Sequence, residues 1–151
     1  MGIRCFLAAE LPQKIKEQAH ELGKKFGGKV VPTENIHITV KFFENADPDK
    51  IIARVGFLEN YGKIKIKMNG VGFFPSKRRA RVAWIRVISQ ELTDLLKMFG
   101  ENTPHITVAR NPETVEDFEF FGETIIEKIT LFKSTLLPSG AVYSRIKTWK
   151  L

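Results

Sequence analysis

The most constraining feature of the sequence is a tetrapeptide, His-Ile-Thr-Val, that occurs twice, at residues 37–40 and 105–108. In each copy a histidine and a threonine alternate with β-branched apolar residues, and this period of two is typical of a β-strand with one buried face. The histidine and threonine of each copy therefore point to one side of a sheet, while the isoleucine and valine point into a core. The fold has to accommodate two strands that each present an imidazole beside a hydroxyl.

The segments around the two copies follow a similar order. In the first half, the patterns predict a strand at 3–9, an amphipathic helix at 12–26 that ends at two glycines, and a motif strand at 35–43. In the second half, a strand at 81–87 precedes a helix whose apolar face lies between residues 88 and 99, and the motif strand covers 105–110. The repeated order of strand, helix and motif strand predicts a two-lobed α+β domain with pseudo-twofold character.

The other segments predict smaller elements. In chain order these are a helix that Asp47 caps and that runs to about residue 58, a strand at 64–68 that Gly70 and Gly72 bend, a helical turn permitted by Pro112, and two closing strands at 125–136 and 141–149.

Length and composition indicate one ordinary globular domain, residues 1–151, with 43% hydrophobic residues. The first apolar run, residues 1–9, is too short for a signal peptide or a membrane span, so the expected location is the cytoplasm, away from membranes. Cys5 is the only cysteine, which excludes an internal disulfide and a cysteine-rich zinc site.

The chain is basic, with a net charge of +7 and a pI near 9.6. Such a surplus is compatible with a polyanionic partner such as RNA or a phosphorylated nucleotide. It is equally compatible with a solvated basic surface that has no partner, and the charge alone does not separate these two interpretations.

The two motifs together suit hydrolysis of a phosphodiester. If the strands lie close, a neutral histidine can take a proton from water and a protonated one can give a proton to the departing sugar oxygen, which assigns catalysis to His37 and His105. The hydroxyls of Thr39 and Thr107 can donate hydrogen bonds to the phosphate oxygens. Strand alternation places Lys41 on the same face, where it can add positive charge.

Two further residues need separate interpretation. His20, the third histidine, is expected on a solvated helix surface. Arg110 lies five residues after His105, so strict alternation places it on the core face. Its charge suits either a plain surface position or a substrate-binding one, if the strand ends or twists there.

At these residues the sequence resembles the 2H phosphoesterase superfamily, and within it the RNA 2′,3′-cyclic phosphodiesterases, also called 2′-5′ RNA ligases. The resemblance covers both motifs with their flanks and two further segments, 70–84 and 133–143. It implies a bilobal fold in which antiparallel sheets line a central cleft and helices lie outside. It also implies opening of a 2′,3′-cyclic phosphate to a 2′-phosphate without metal or other cofactor.

The resemblance further implies individual roles. His37 would be the general acid at the 3′-oxygen, His105 the general base, Thr39 and Thr107 the phosphate ligands, and Arg110 a residue near the substrate. The implied partner is RNA or an oligonucleotide with a 2′,3′-cyclic phosphate end, and the chain is expected to act as a monomer.

Three other functions stay open. The same chemistry run backwards is 2′-5′ RNA ligation. A basic, aromatic-rich chain could also bind RNA without catalysis. A metal site is the least supported, because two histidines without a cysteine or carboxylate motif supply too few ligands.

Overall fold

The computed structural model describes residues 2–151, so Met1, the first residue of the predicted domain, lies outside the described residues. Within that range the chain forms nine β-strands and three α-helices. They are β1 (Ile3–Ala9), α1 (Gln13–Phe26), β2 (Lys29–Val30), β3 (Ile38–Ala46), α2 (Pro48–Arg54), β4 (Ile64–Phe74), β5 (Val82–Ile88), α3 (Gln90–Lys97), β6 (His105–Arg110), β7 (Phe121–Ile126), β8 (Lys128–Leu137) and β9 (Gly140–Lys150).

The strands form one sheet in which every pairing is antiparallel. Its order is β7-β4-β5-β6-β3-β1-β8-β9, and the short β2 pairs with β6 from the side. The two motif strands, β6 and β3, are the central pair. The α+β class with antiparallel sheet structure is as predicted, but the two expected sheets are joined into one.

The two halves of the sheet are related by their element order. In one half the order is β1, α1 and the motif strand β3, and in the other it is β5, α3 and the motif strand β6. The half that contains β4, β5, β6 and β7 is one contiguous stretch of sequence, residues 64–126. The other half is not contiguous, because the C-terminal β8–β9 hairpin returns to it and β8 pairs with β1.

Helix α1 packs directly on the second motif strand. Its buried face ends at Phe26, whose ring makes edge contacts with Phe73 and Phe118 at centroid distances of 5.6 and 5.0 Å. One turn earlier, Gly23 lies so close to β6 that a Cβ there would be 2.5 Å from the Val108 carbonyl oxygen. The absence of a side chain at Gly23 therefore sets how closely α1 approaches the motif strand.

Several element boundaries differ from the sequence predictions. The first motif strand begins at Ile38 rather than at residue 35, because Thr33–Asn35 forms a 3₁₀ turn. The helix predicted to reach residue 58 ends at Arg54, and a 3₁₀ turn, Gly56–Asn60, follows it. The helical turn predicted at Pro112 is wrong, since residues 111–120 contain neither helix nor strand.

The predicted closing strand at 125–136 is also wrong, because it merges two strands. Residues Phe121–Ile126 form β7 and pair with β4, whereas Lys128–Leu137 form β8 and pair with β1. The apolar residues on either side of Glu127 therefore belong to opposite halves of the sheet. In the part of the chain that the structure describes, no helix is long and apolar enough to cross a membrane.

We predict that Gly23→Ala destabilises the protein although it replaces a helical glycine. Helix propensity alone would favour alanine by roughly 0.5–1 kcal/mol. The new Cβ would meet the Val108 carbonyl oxygen, and such overpacking costs typically about 1–3 kcal/mol, so the clash dominates. The matched control is Gly56→Ala, where a Cβ meets nothing within 4 Å.

Urea unfolding followed by tryptophan fluorescence measures both changes. An isolated helix would gain stability from this substitution. If Gly23→Ala likewise raises the free energy of unfolding of the protein, the packing argument is wrong.

Candidate active site

The two motifs meet at a single residue pair. Ile38 of β3 is directly opposite Ile106 of β6, and both side chains are fully buried. Antiparallel geometry around this pair places position 37 opposite position 107 and position 105 opposite position 39. The pseudo-twofold axis therefore passes between the isoleucines.

All four polar motif side chains line one cleft of about 550 Å³. The cleft is bounded on one side by the β8–β9 hairpin and on the other by the β2 strand and the loop that follows it. Its lining includes the cations Arg4, Lys29 and Arg110, the carboxylate of Glu44 and the ring of Tyr143. The arrangement can hold an anion between the two imidazoles.

Each histidine is oriented by the backbone carbonyl two residues before it. Nδ1 of His37 is 2.7 Å from the Asn35 oxygen, and Nδ1 of His105 is 2.8 Å from the Thr103 oxygen. A carbonyl only accepts, so both Nδ1 atoms carry hydrogen. In the neutral rings Nε2 is then the basic nitrogen, and in His37 it accepts a hydrogen bond from the Thr39 hydroxyl at 2.8 Å.

Aromatic rings hold both imidazoles in place. Phe6 stacks on His37 with centroids 4.9 Å apart, and Tyr143 contacts the same ring edge-on at 5.6 Å. His105 has two edge contacts, with Phe74 at 5.0 Å and Trp84 at 5.6 Å. This packing explains why both imidazoles are partly buried although they line a cleft.

Burial favours the neutral form of His37. It lowers the pKa of His37 to about 4, although the hydrogen bond to the Asn35 carbonyl acts in the opposite direction. Three positive charges lower this pKa further, and they belong to Lys16, His105 and Arg110.

Burial also favours the neutral form of His105, but the neighbouring charge here is negative. Burial lowers the pKa of His105, while the hydrogen bond to Thr103 and the charge of Glu101 oppose the shift. With no anion bound, both rings are therefore neutral near pH 7, and His37 is the harder one to protonate.

A β-bulge after each threonine changes the expected alternation. In β6, Thr107 and Ala109 are opposite two consecutive residues of β5, so Val108 is an extra residue, and in β3 the extra residue is Val40. Each bulge reverses the face of every residue that follows. The cleft face therefore continues three residues after each threonine.

The bulges reverse the faces that strand alternation predicted for Arg110 and Lys41. Arg110 is exposed and lines the cleft, so the core-face position that strict alternation gave it is wrong. Lys41 does not line the cleft, and its Nζ is 3.0 Å from a Glu101 carboxylate oxygen. The prediction that Lys41 shares the face of His37 and Thr39 is therefore wrong as well.

Sequence reasoning missed several cleft residues. Arg4 lies with its guanidinium carbon 4.4 Å from the centroid of the Phe42 ring, and Lys29 enters through the two-residue strand β2. The alternation of β1 around the buried Cys5 places Arg4 and Phe6 on one face and was the signal that could have found them. Among residues 2–151, no three His, Cys, Asp or Glu side chains gather as a metal site would require.

The prediction for His20 also needs correction. Its ring is partly buried, and Nδ1 is 2.8 Å from the Val31 carbonyl oxygen, so the side chain ties α1 to the loop that borders the cleft. It is not one of the residues that line the cleft.

Comparison with known proteins agrees with this architecture. The family model described as LigT like Phosphoesterase matches residues 6–84, just over half of the chain. An RNA 2′,3′-cyclic phosphodiesterase of Methanocaldococcus jannaschii is 33% identical over 174 aligned positions, which cover 97% of this chain and 100% of the relative. One of Archaeoglobus fulgidus is 30% identical and covers 98% and 100%.

A solved structure extends the agreement to three dimensions. The crystal structure of TT0787 of Thermus thermophilus superposes with a TM-score of 0.85 at 23% identity, over 99% of this chain and 98% of that one. This similarity concerns the fold, whereas the sequence matches extend over nearly the whole chain. The chain therefore belongs to the LigT-like phosphoesterase family.

Proposed function

We propose that this chain is an RNA 2′,3′-cyclic phosphodiesterase that opens a terminal cyclic phosphate to a 2′-phosphate by acid–base catalysis between two histidines, without a metal ion. The observation that carries the proposal is the shared cleft: both imidazoles and both threonine hydroxyls line it around one pseudo-twofold axis. The relatives from Methanocaldococcus jannaschii and Archaeoglobus fulgidus carry the name of this activity. Because one chain supplies both histidines, we further propose that residues 1–151 act as a single bilobal domain and as a monomer.

The proposed reaction is an in-line displacement at phosphorus. His105 Nε2 takes a proton from water as the water oxygen bonds to phosphorus, and His37 Nε2 gives a proton to the 3′-oxygen as its bond to phosphorus breaks. The hydroxyls of Thr39 and Thr107 donate to the non-bridging oxygens, where negative charge develops. The product keeps the phosphate on the 2′-oxygen, and the two histidines have exchanged protonation states.

The acid role of His37 requires a charge effect from the substrate. In the empty cleft its pKa of about 4 leaves the ring without the proton that it has to donate. A bound phosphate brings negative charge next to the ring and offsets the positive charges that lower this pKa. The substrate itself thus increases the fraction of His37 that carries the proton needed for the reaction.

Arg110 is the proposed third phosphate or sugar contact. It lies on the cleft face three residues after Thr107 and projects from the same strand as the general base. Its guanidinium can make charge-assisted, paired hydrogen bonds to phosphate oxygens. Lys41 has no part in the proposed mechanism, because it is paired with Glu101 outside the cleft.

Ligation uses the same groups, with a 5′-hydroxyl in place of water as the nucleophile that opens the cyclic phosphate and the 3′-oxygen again as the leaving group. The balance between the two reactions depends on access of water, at about 55 M, to the cleft. We propose hydrolysis as the main reaction, with reversible 2′-5′ ligation as a second activity. A non-catalytic RNA-binding role is the alternative, and the Nδ1 hydrogen bonds that leave both Nε2 atoms basic argue against it, since binding alone needs no basic nitrogen there.

We predict that purified protein converts a 2′,3′-cyclic phosphate end to a 2′-phosphate with EDTA present. Each of His37→Ala and His105→Ala should lower turnover about 10²–10⁴-fold, the typical contribution of one proton transfer. The control is His20→Ala, which removes the histidine that does not line the cleft. End-group analysis of a labelled oligonucleotide measures all four proteins.

Full activity in both cleft variants would rule out the two-histidine mechanism. Tight RNA binding by a wild type that does not turn over would favour the binding protein instead, and loss of activity on chelation would point to a metal.

We predict that inorganic phosphate raises the pKa of His37. In the free protein, NMR titration of the imidazole should give a pKa of about 4, and saturating phosphate should raise it by about one unit or more, as an opposite charge at close range does. A His37 pKa that phosphate leaves unchanged, combined with a rise at His105, would reverse the assignment of acid and base.

We predict that Arg110→Ala raises KM by about 10–100-fold, because it removes a charge-assisted contact worth roughly 1.5–3 kcal/mol. Lys41→Ala is the matched control and should stay within about twofold, since its exposed ion pair contributes little. Steady-state kinetics on a nucleoside 2′,3′-cyclic phosphate compares the two. Equal losses in both variants would show that general surface charge, rather than the position of Arg110, drives binding.

A further inference from the structure

Asn35 links His37 to the β8–β9 hairpin. Its backbone carbonyl accepts the hydrogen bond from His37 Nδ1 at 2.7 Å, and its side-chain Nδ2 donates to the Ala141 carbonyl oxygen at 3.1 Å. The second bond spans 106 positions of sequence and joins the 3₁₀ turn before β3 to the start of β9. One residue thus contacts both the candidate acid and the opposite wall of the cleft.

The hairpin is itself part of the cleft. Leu136 and Leu137 at the end of β8 line it together with Gly140, Ala141 and Tyr143 at the start of β9. Leu136 is 64% exposed and Leu137 47% exposed, so the hairpin tip has little packing of its own against the rest of the molecule. A tip with so few buried contacts depends on side-chain links such as the Asn35 bond to hold its distance from β3.

The second motif lacks this link. Thr103 occupies the position of Asn35, since its carbonyl accepts from Nδ1 of His105 at 2.8 Å. The hydroxyl of Thr103, however, donates to Oδ1 of the adjacent Asn102, at 2.8 Å, and so makes only a local contact. The Asn35 side-chain bond therefore distinguishes the two histidines, although a backbone carbonyl orients Nδ1 of both rings in the same way.

The Asn35 side-chain bond acts on the tautomer of His37. In a neutral imidazole the hydrogen resides on the nitrogen that has the better acceptor, so a fixed Asn35 carbonyl keeps it on Nδ1 and leaves Nε2 basic. A carbonyl that moves with a loose turn would let the hydrogen shift to Nε2, where Thr39 Oγ1 can accept it. Nε2 is the atom to which the proposed mechanism brings the catalytic proton.

We propose that Asn35 is a positioning residue, whose side-chain amide ties the β8–β9 hairpin to the carbonyl that fixes His37, so that the wall of the cleft and the tautomer of the acid are coupled. The consequence for catalysis rests on the proposed cyclic phosphodiesterase activity, whereas the effect on the tautomer does not.

The experiment compares Asn35→Ala with Asn102→Ala, the same substitution in the segment before the other histidine. Long-range ¹H–¹⁵N NMR correlation distinguishes the two tautomers of each ring at a pH where both are neutral. In Asn35→Ala, His37 should gain a measurable Nε2–H population while His105 keeps its wild-type pattern, and kcat should fall about tenfold with KM nearly constant, as misplacement of a catalytic group does. Asn102→Ala should leave both tautomers and kcat unchanged.

A wild-type tautomer pattern and wild-type kcat in Asn35→Ala would overturn the proposal. Should that variant fail to fold, Asn35→Leu keeps the size of the side chain, removes the donor without adding a charge and gives the same comparison. The two proposals fail separately, because a wild type without phosphodiesterase activity would end the proposed function, while the tautomer measurement would still decide the role of Asn35.

Discussion

The site depends on the contact between Ile38 and Ile106, the only residue pair through which β3 and β6 form a ladder among the described residues. One pair contributes few backbone hydrogen bonds, so the junction is held mainly by the apolar side chains beneath it, which are fully buried on both strands. This junction therefore sets the positions of the histidine and threonine side chains that line the cleft. Because the strands run antiparallel through this junction, the histidine and threonine of both motifs line one cleft.

The valine that completes each motif gives the site its second constraint. A bulge at Val40 and another at Val108 reverse the strand faces just beyond the threonines. Without the second bulge Arg110 would point into the core, and without the first Lys41 would stand in the cleft. The pseudo-twofold relation thus extends past the repeated tetrapeptide, although the residues it relates, Phe42 and Arg110, have nothing in common chemically.

The sequence alone predicts the parts of this structure that depend on local periodicity. The bounds of β1 and β6, the order of strand, helix and motif strand, and the shared face of histidine and threonine all follow from alternation and capping. The wrong sequence predictions concern features that depend on a segment distant in the sequence. A bulge depends on the register of the neighbouring strand, and the break at Glu127 depends on which half of the sheet each flank joins. The tie between His20 and Val31 likewise requires the position of α1 against the loop.

The electrostatics of the cleft explain how two histidines can share it. Arg4, Lys29 and Arg110 already supply positive charge there, so protonating both rings in the empty cleft would add like charges at close range. Burial avoids this by lowering both pKa values, and it lowers that of His37 further. As a result, neither ring is protonated in the free protein at neutral pH. A bound anion would offset the positive charges and stabilise a proton on the adjacent ring. In the proposed mechanism, burial and the charges of Lys16, His105 and Arg110 therefore keep His37 neutral until a phosphate is bound.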